Sequence, residues 1–136
     1  MKINSIISWI LRLIAAIILL QTLYFKFTAQ PESVELFTKL GVEPWGRIGT
    51  GVIELITSIL LLLPSTIAVG ALLGIGVMAG AILSHIMVIG IQSQGDGGQL
   101  FILALIVLVC CLSLLALEKK QVAVLANKFF KKKMIV

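Results

Sequence analysis

The chain has 136 residues, of which 60% are hydrophobic and only 12% charged, with a net charge of +5 and a mean hydropathy of +1.15. This leaves too little polar surface to cover a water-soluble globule, so the composition excludes a soluble enzyme or binding domain. At about 20 apolar residues per crossing, the length allows about four membrane-spanning helices and no second domain.

Four apolar segments follow one another along the chain, and each is long enough to cross a bilayer as a helix. Pro64 and Ser65 suit a tight turn between the second and third segments, and the glycine-rich stretch 91–100 suits a turn before the fourth. We therefore expect an all-α fold, an integral membrane bundle of four antiparallel helices within residues 1–120, followed by a basic cytoplasmic tail at 121–136. The predicted spans are residues 3–27, 46–63, 66–91 and 100–117.

The connection between the first two spans is longer than the other two. In "AQPESVELFTKLGVEPWGR", residues 29–47, Pro31 suits the first turn of a helix and Gly41 suits its end. The apolar residues between them share one face. This pattern predicts a short amphipathic helix at the membrane interface, with Trp45 as an anchor at headgroup level. An ordered loop that only connects the spans is the alternative.

Lysine and arginine are distributed unevenly between the two sides of the predicted bundle, which indicates its orientation. The side opposite the termini has Lys26, Lys39 and Arg47 together with four acidic residues. By the positive-inside rule, both termini are cytoplasmic. The basic, aromatic end "NKFFKKKMIV" suits contact with anionic lipid rather than with nucleic acid, or serves only as a topological signal. The basic residues on the side of the termini are Lys2, Arg12, Lys119, Lys120, Lys128, Lys131, Lys132 and Lys133, against one acid, Glu118.

The sequence contains no motif that identifies an enzyme. Cys110 and Cys111 are adjacent in an apolar span, a spacing that does not suit disulfide exchange, and we expect both to be packing residues. With one histidine and no second ligand cluster, we expect no metal site. Phosphate-binding loops, dinucleotide fingerprints and serine nucleophile elbows are missing, so no catalytic residue is identified and no cofactor is evident.

A small set of polar side chains lies inside the spans, and the predicted topology puts all of them in the outer half of the bilayer. A charge that faces lipid costs a few kcal/mol, so Glu54 should point into the bundle and be protonated or paired. Its candidate partners are Lys26, Arg47 and His85. The candidate pocket comprises Gln21, Tyr24, Lys26, Arg47, Thr50, Glu54, His85 and Gln92.

Helical spacing places these residues on continuous faces. The second span carries a small and polar stripe that includes Thr50 and Glu54, and the third carries a seam of small residues at Gly76, Gly80 and Ser84. Such seams let helices approach closely in lipid. Two interpretations stay open: a small pocket or proton-handling site, and an ion pair that only joins the helices.

These features together resemble the DoxX family, small bacterial membrane proteins with four helices. The resemblance runs roughly from Leu11 to Leu117 and rests on the order of "LYFKF", "VELFTKLGVEP", "GVIELITSILLLLP", "GVMAGAILSHI" and "GDGG". The chain differs from many relatives because it lacks a glycine shortly before Lys26 and glycines directly after Glu54. The resemblance implies a multi-pass protein of the bacterial inner membrane.

It also implies a small subunit or accessory of a membrane redox assembly linked to a quinone or to thiols. The pocket around Glu54 would then hold a quinone-like headgroup or relay its protons, so a quinone is the cofactor to consider. Expected partners are the lipid bilayer, another membrane or redox subunit, and a second copy of the chain. Two alternatives stay open: an assembly or chaperone factor that uses the small-residue seams and, less favoured, a small-molecule exporter. Whether the protein is an enzyme also stays open.

Overall fold

The computed structural model describes the backbone of residues 2–135 and the side chains of residues 2–131. A 3-10 turn, Pro64–Thr66, precedes the fourth helix, and a π-helical turn, His85–Ile89, extends it. This part of the chain forms six α-helices: α1 (Ile3–Phe27), α2 (Pro31–Lys39), α3 (Trp45–Leu62), α4 (Ile67–Ser84), α5 (Gln99–Leu117) and α6 (Lys119–Ile135).

Four of the helical segments form an antiparallel bundle. α1 packs against α3 and α5, and α4 packs against the same two helices, so each helix has two neighbours in a closed ring. Each of these segments is long and apolar enough to cross a membrane. The all-α, four-helix fold predicted from the sequence is therefore confirmed, and α2 is the short helix predicted after the first span.

Small residues set the closest approaches between the spanning helices. A Cβ atom at Gly70 would lie 2.9 Å from the Leu61 nitrogen, and one at Gly74 would lie 2.6 Å from Cys111 Sγ. Glycine at these two positions therefore lets α4 approach α3 and α5. The seam noted in the sequence, at Gly76 and Gly80, instead opens away from the bundle, because a Cβ atom there would meet nothing within 4 Å.

The interior of the bundle is filled by leucine, alanine and cysteine side chains. Leu19 is 2% exposed, and Cys110 and Cys111 are 4% and 0% exposed. Both thiols are therefore part of the packed core, as the sequence predicts. Other members of the core are Ala15, Leu61, Ala71, Val107 and Leu114.

The end of α3 is completed by a buried arginine from α1. The helix ends at Leu62 and the chain turns at Pro64, so the carbonyls of the last turn of α3 lack donors from their own helix. Arg12, which is 2% exposed, donates through Nε to the Leu61 carbonyl and through Nη2 to the Leu62 carbonyl at 2.7 Å. The side chain that interrupts the first apolar run thus supplies the missing donors.

The basic tail predicted at 121–136 is helical in its described part, and it contacts the bundle through Gln121 in α6. The side-chain amide of Gln121 donates to the Pro64 carbonyl at 2.6 Å, and its oxygen accepts a hydrogen bond from the Ala68 N–H at 3.0 Å. α6 is thereby attached to the turn between α3 and α4.

The turn between α4 and α5 is organised around Asp96. Its Oδ1 accepts hydrogen bonds from the N–H groups of Ser93, at 3.0 Å, and Gly98, at 2.8 Å, and its Oδ2 accepts one from Leu100 at 3.2 Å. Desolvation acts to raise the pKa of this carboxyl group. The backbone amides of Gly98, Leu100, Ser93 and Gln99 outweigh that effect, so the pKa of Asp96 lies below its ordinary value.

Candidate functional site: a buried ion pair between α1 and α3

The bundle has two chemically different ends. We call the end with the start of α1 and the end of α5 the termini end, and the end with α2 and the α4–α5 turn the loop end. α2 contacts α1, α3 and the π-helical turn, and so covers part of the loop end. Most of the candidate residues lie near this end.

Lys26 and Glu54 form an ion pair between α1 and α3. Lys26 Nζ lies 2.8 Å from Oε1 and 2.7 Å from Oε2 of Glu54, so one ammonium group bridges both carboxylate oxygens. The two side chains are 13% and 6% exposed. Of the three partners expected for Glu54, the structure selects Lys26.

A hydroxyl group completes the surroundings of the carboxylate. Thr22 Oγ1 lies 3.1 Å from Oε2 of Glu54 and 2.7 Å from the Leu19 carbonyl. Because a hydroxyl has a single proton, it donates to one of these oxygens at a time. The Glu54 carboxylate is thus within hydrogen-bond distance of one ammonium group and one hydroxyl group.

Close packing of α1 on α3 brings the pair together. Thr22 and Lys26 are four residues apart and so lie on one face of α1. On α3, Gly51 precedes Glu54 by three residues, and a Cβ atom there would lie 2.8 Å from Cε1 of Phe27. Glycine at position 51 thus lets the end of α1 approach α3 at the level of the ion pair.

Arg47 supports the pair indirectly. Its Nε lies 2.9 Å and 3.1 Å from the carboxylate oxygens of Glu43, and its Nη1 donates to the backbone carbonyl of Lys26. A cation at the end of a helix both caps free carbonyls and interacts favourably with the helix dipole. Arg47 therefore holds the backbone of Lys26 rather than the carboxylate of Glu54.

His85 occupies a separate position in the π-helical turn after α4. It is 5% exposed, and its Nδ1 lies 3.0 Å from the Gly90 carbonyl. Because a carbonyl can only accept, Nδ1 carries the proton of this hydrogen bond. The ring also packs edge-on against Phe101, with centroids 5.8 Å apart. Within residues 2–131, no hydrogen bond joins His85 to the Lys26–Glu54 pair.

The remaining candidates are not brought into contact with the pair. Gln21, Tyr24 and Gln92 are exposed, and Tyr24 has 61% of its surface accessible. Thr50 donates to the carbonyls of its own helix, at 2.7 Å to Gly46. The site seen in the structure is therefore smaller than the predicted pocket, with Lys26 and Glu54 at its centre.

Thr22 belongs to this site although the sequence did not select it. Besides Lys26, the predicted pocket includes Gln21 and Tyr24 from α1, which are three residues apart. The sequence does contain a signal for Thr22, which is its spacing of four residues from Lys26. This spacing places the hydroxyl group beside the ammonium group on one face of the helix.

The chemistry open to this site is proton exchange and the binding of a polar headgroup. An ammonium and a hydroxyl are donors, and a carboxylate accepts protons. Across the described residues, no group of three or more histidine, cysteine, aspartate or glutamate side chains could hold a metal ion.

Four membrane-spanning helices around a buried ion pair place the chain among small helical integral membrane proteins. A family model, described as the DoxX-like family, matches residues 10–116, and the chain therefore belongs to this family. The comparisons found no match among curated proteins or solved structures.

Proposed function

We propose that this protein is a small accessory subunit of a quinone-linked redox assembly in the bacterial cytoplasmic membrane, with both termini in the cytoplasm. In this proposal the Lys26–Glu54 pair binds the polar headgroup of a quinone and exchanges protons with it. The observation that carries the proposal is the pair itself, a bridged carboxylate that is only 6% exposed inside a membrane bundle. Ionisable groups at such a depth are costly and are typical of ion and proton pathways.

The donor set suits a quinone oxygen. Reduction of a quinone places negative charge on its oxygens and takes up protons, so a positioned ammonium group stabilises the charge and a carboxylate relays the proton. Lys26 lies in the last turn of α1 and keeps 13% of its side chain exposed, so a headgroup can approach it from the loop end. His85, whose Nδ1 is bonded to the Gly90 carbonyl, is a second ionisable group near the same end.

A quinone fits the chain better than a thiol substrate does. Cys110 and Cys111 are 4% and 0% exposed and belong to the core cluster. Thiol exchange requires an accessible thiolate, which apolar burial disfavours. Thiol chemistry in such an assembly would therefore fall to a partner subunit.

The orientation rests on charge. Positive residues concentrate at the termini end, where α1 begins and where α6 carries several lysines. Cytoplasmic segments of membrane proteins carry this excess of lysine and arginine. The loop end, with the ion pair, would then face away from the cytoplasm.

The test measures the quinone that copurifies with the protein. Wild type, Glu54→Gln and the control Glu35→Gln are purified in mild detergent, and quinone is quantified per protein after extraction. Glu35 is an exposed residue of α2 near the same end, so Glu35→Gln makes the same chemical change outside the site. We expect Glu54→Gln to retain about tenfold less quinone, the effect of losing one charged hydrogen bond, and Glu35→Gln to match wild type.

Two results would count against the proposal. One is a wild-type quinone content no higher than that of the surrounding lipid extract. The other is equal quinone content in wild type and Glu54→Gln together with a lower melting temperature of the variant, which would identify the pair as purely structural.

A second candidate function, assembly of membrane proteins, is favoured by the open seam on α4. Gly76 and Gly80 are exposed and have free space beside their Cα atoms, which is the geometry by which transmembrane helices approach one another. If this seam binds a partner, Gly80→Leu should abolish recovery of a stoichiometric membrane partner while the variant purifies as a folded monomer. Retention of the partner by Gly80→Leu would contradict this function.

A further inference from the structure

The termini end of the bundle contains a polar cavity that is separate from the Lys26–Glu54 site. Its volume is about 380 Å³, and it lies between the first turns of α1, the α3–α4 turn and the end of α5. The polar lining residues are Asn4, Ser5, Ser8, Arg12 and Glu118, with Trp9 as an aromatic wall.

The cation of this cavity is fixed in place. Arg12 is 2% exposed and bonds to the last carbonyls of α3, and its guanidinium carbon lies 3.8 Å from the centroid of the Trp9 ring. Cation–π contact and hydrogen bonding together hold the positive charge in the cavity wall. Ser8, one turn earlier on α1, is 5% exposed and lines the same space.

The anion of the cavity, Glu118, makes only a long contact with a hydrogen-bond donor. Glu118 joins α5 to α6, and its Oε1 lies 3.4 Å from Ser8 Oγ, which is long for a hydrogen bond between oxygens. Among the side chains of residues 2–131, no cation lies within 4 Å of its carboxylate. Glu118 is therefore a hydrogen-bond acceptor available to a ligand.

The cavity lies where lipid headgroups are found. α1 and α5 are membrane-spanning helices, and the cavity lies beside the first turns of α1 and the last residues of α5. Apolar side chains next to it face outward, with Ile3 74% exposed and Ile10 52% exposed. A polar group in the cavity could thus remain attached to acyl chains that cover these isoleucines.

We propose that this cavity binds the headgroup of an ethanolamine phospholipid, with its ammonium group on Glu118 and its phosphate toward Arg12 and the serine hydroxyls. One fixed cation and one free carboxylate match a headgroup that carries both charges. A primary ammonium donates hydrogen bonds to a carboxylate, whereas the trimethylammonium of choline has no proton to donate. A glycerol headgroup carries only the negative phosphate and would bring no hydrogen-bonding cation to Glu118.

The experiment compares lipids with identical acyl chains and different headgroups. The full chain is purified, delipidated and titrated with ethanolamine, choline and glycerol phospholipids, and bound lipid is counted by native mass spectrometry. We expect wild type to prefer ethanolamine over choline and glycerol headgroups by about tenfold, and Glu118→Gln to reduce the preference to about twofold or less. The control Glu32→Gln, an exposed acid at the loop end, should keep the wild-type preference.

Other outcomes would overturn the proposal. Equal binding of all three lipids by wild type, or a preference for the glycerol lipid, would assign lipid binding to the surface lysines instead. An unchanged preference in Glu118→Gln would exclude the carboxylate. Displacement of the lipid by soluble phosphoethanolamine at a lower concentration than the lipid itself would point to a free metabolite.

A second variant keeps the test decisive. If Glu118→Gln fails to purify as a folded protein, Ser8→Ala takes its place, because it removes a lining hydroxyl while leaving both charges. A reduced ethanolamine preference in Ser8→Ala would support the headgroup site, and an unchanged preference would overturn it. Because the two sites lie at opposite ends of the bundle, neither result depends on quinone binding at Glu54.

Discussion

Lys26 Nζ bridges both carboxylate oxygens of Glu54, at 2.7 Å and 2.8 Å, and thereby connects α1 to α3. Removing one member of a buried ion pair leaves an uncompensated charge, whereas removing both leaves none. We expect Lys26→Met to lower the free energy of unfolding by about 3 kcal/mol and the double variant Lys26→Met, Glu54→Leu to recover most of it. Reversible unfolding in mixed micelles measures both values. Equal, additive losses from the two substitutions would contradict a coupled pair.

Arg12 supplies the donors that the end of α3 lacks. Its loss leaves two buried carbonyls without partners, so Arg12→Leu should lower the free energy of unfolding by about 1–3 kcal/mol. Arg12→Lys should keep part of the stability because one donor group remains. The matched control is Lys120→Leu, which removes an exposed cation at the same end and should have little effect. Unfolding of Arg12→Leu at the wild-type midpoint would refute this role.

Gly74 and Gly76 differ in what surrounds them, although they are only two residues apart on α4. A Cβ atom at Gly74 would lie 2.6 Å from Cys111 Sγ, so Gly74→Ala should destabilise the bundle by about 1–3 kcal/mol. Gly76→Ala adds a methyl group in open space and should be neutral or stabilising. Adding Cys111→Ala to Gly74→Ala should restore stability, since the clashing sulfur is removed. Equal effects at positions 74 and 76 would contradict the packing described for α4.

The α4–α5 turn should respond to acid through Asp96. Because its pKa is lowered in the folded protein, the charged carboxylate stabilises the turn above the unfolded pKa of about 4. This contribution is lost as the pH falls below that value and through the folded pKa. Carboxyl carbon NMR should give a titration midpoint below about 4, and Asp96→Ala should speed amide exchange at Ser93 and Gly98 at neutral pH. A midpoint at or above the ordinary value would rule out this account of the turn.

The spanning helices could be predicted from the sequence because lipid imposes a strict rule. A backbone in hydrocarbon must satisfy its own hydrogen bonds, so each long apolar run becomes a helix. The inward position of Glu54 follows from the cost of a charge facing lipid. Hydropathy and charge therefore predicted the bundle and the inward position of Glu54.

Which side chains lie next to Glu54 depends on how the helices pack, and sequence periodicity does not specify this packing. Gln21 and Thr22 are adjacent in α1, and only the rotation of α1 against α3 decides which of them meets Glu54. His85 shares the predicted depth of Glu54, but in the structure its ring lies in a π-helical turn, bonded to Gly90 and packed against Phe101. Such a turn is a local departure from helical spacing, which a search for regular spacing does not detect.

The most direct test of the proposed function uses the double variant Lys26→Met, Glu54→Leu. This variant removes the charges without leaving a buried ion unpaired, so it separates loss of the site from loss of the fold. We predict wild-type abundance and a melting temperature close to that of wild type, together with at least about a tenfold loss of copurified quinone. A folded double variant that retains the wild-type quinone content would contradict the proposal and assign the pair a structural role alone.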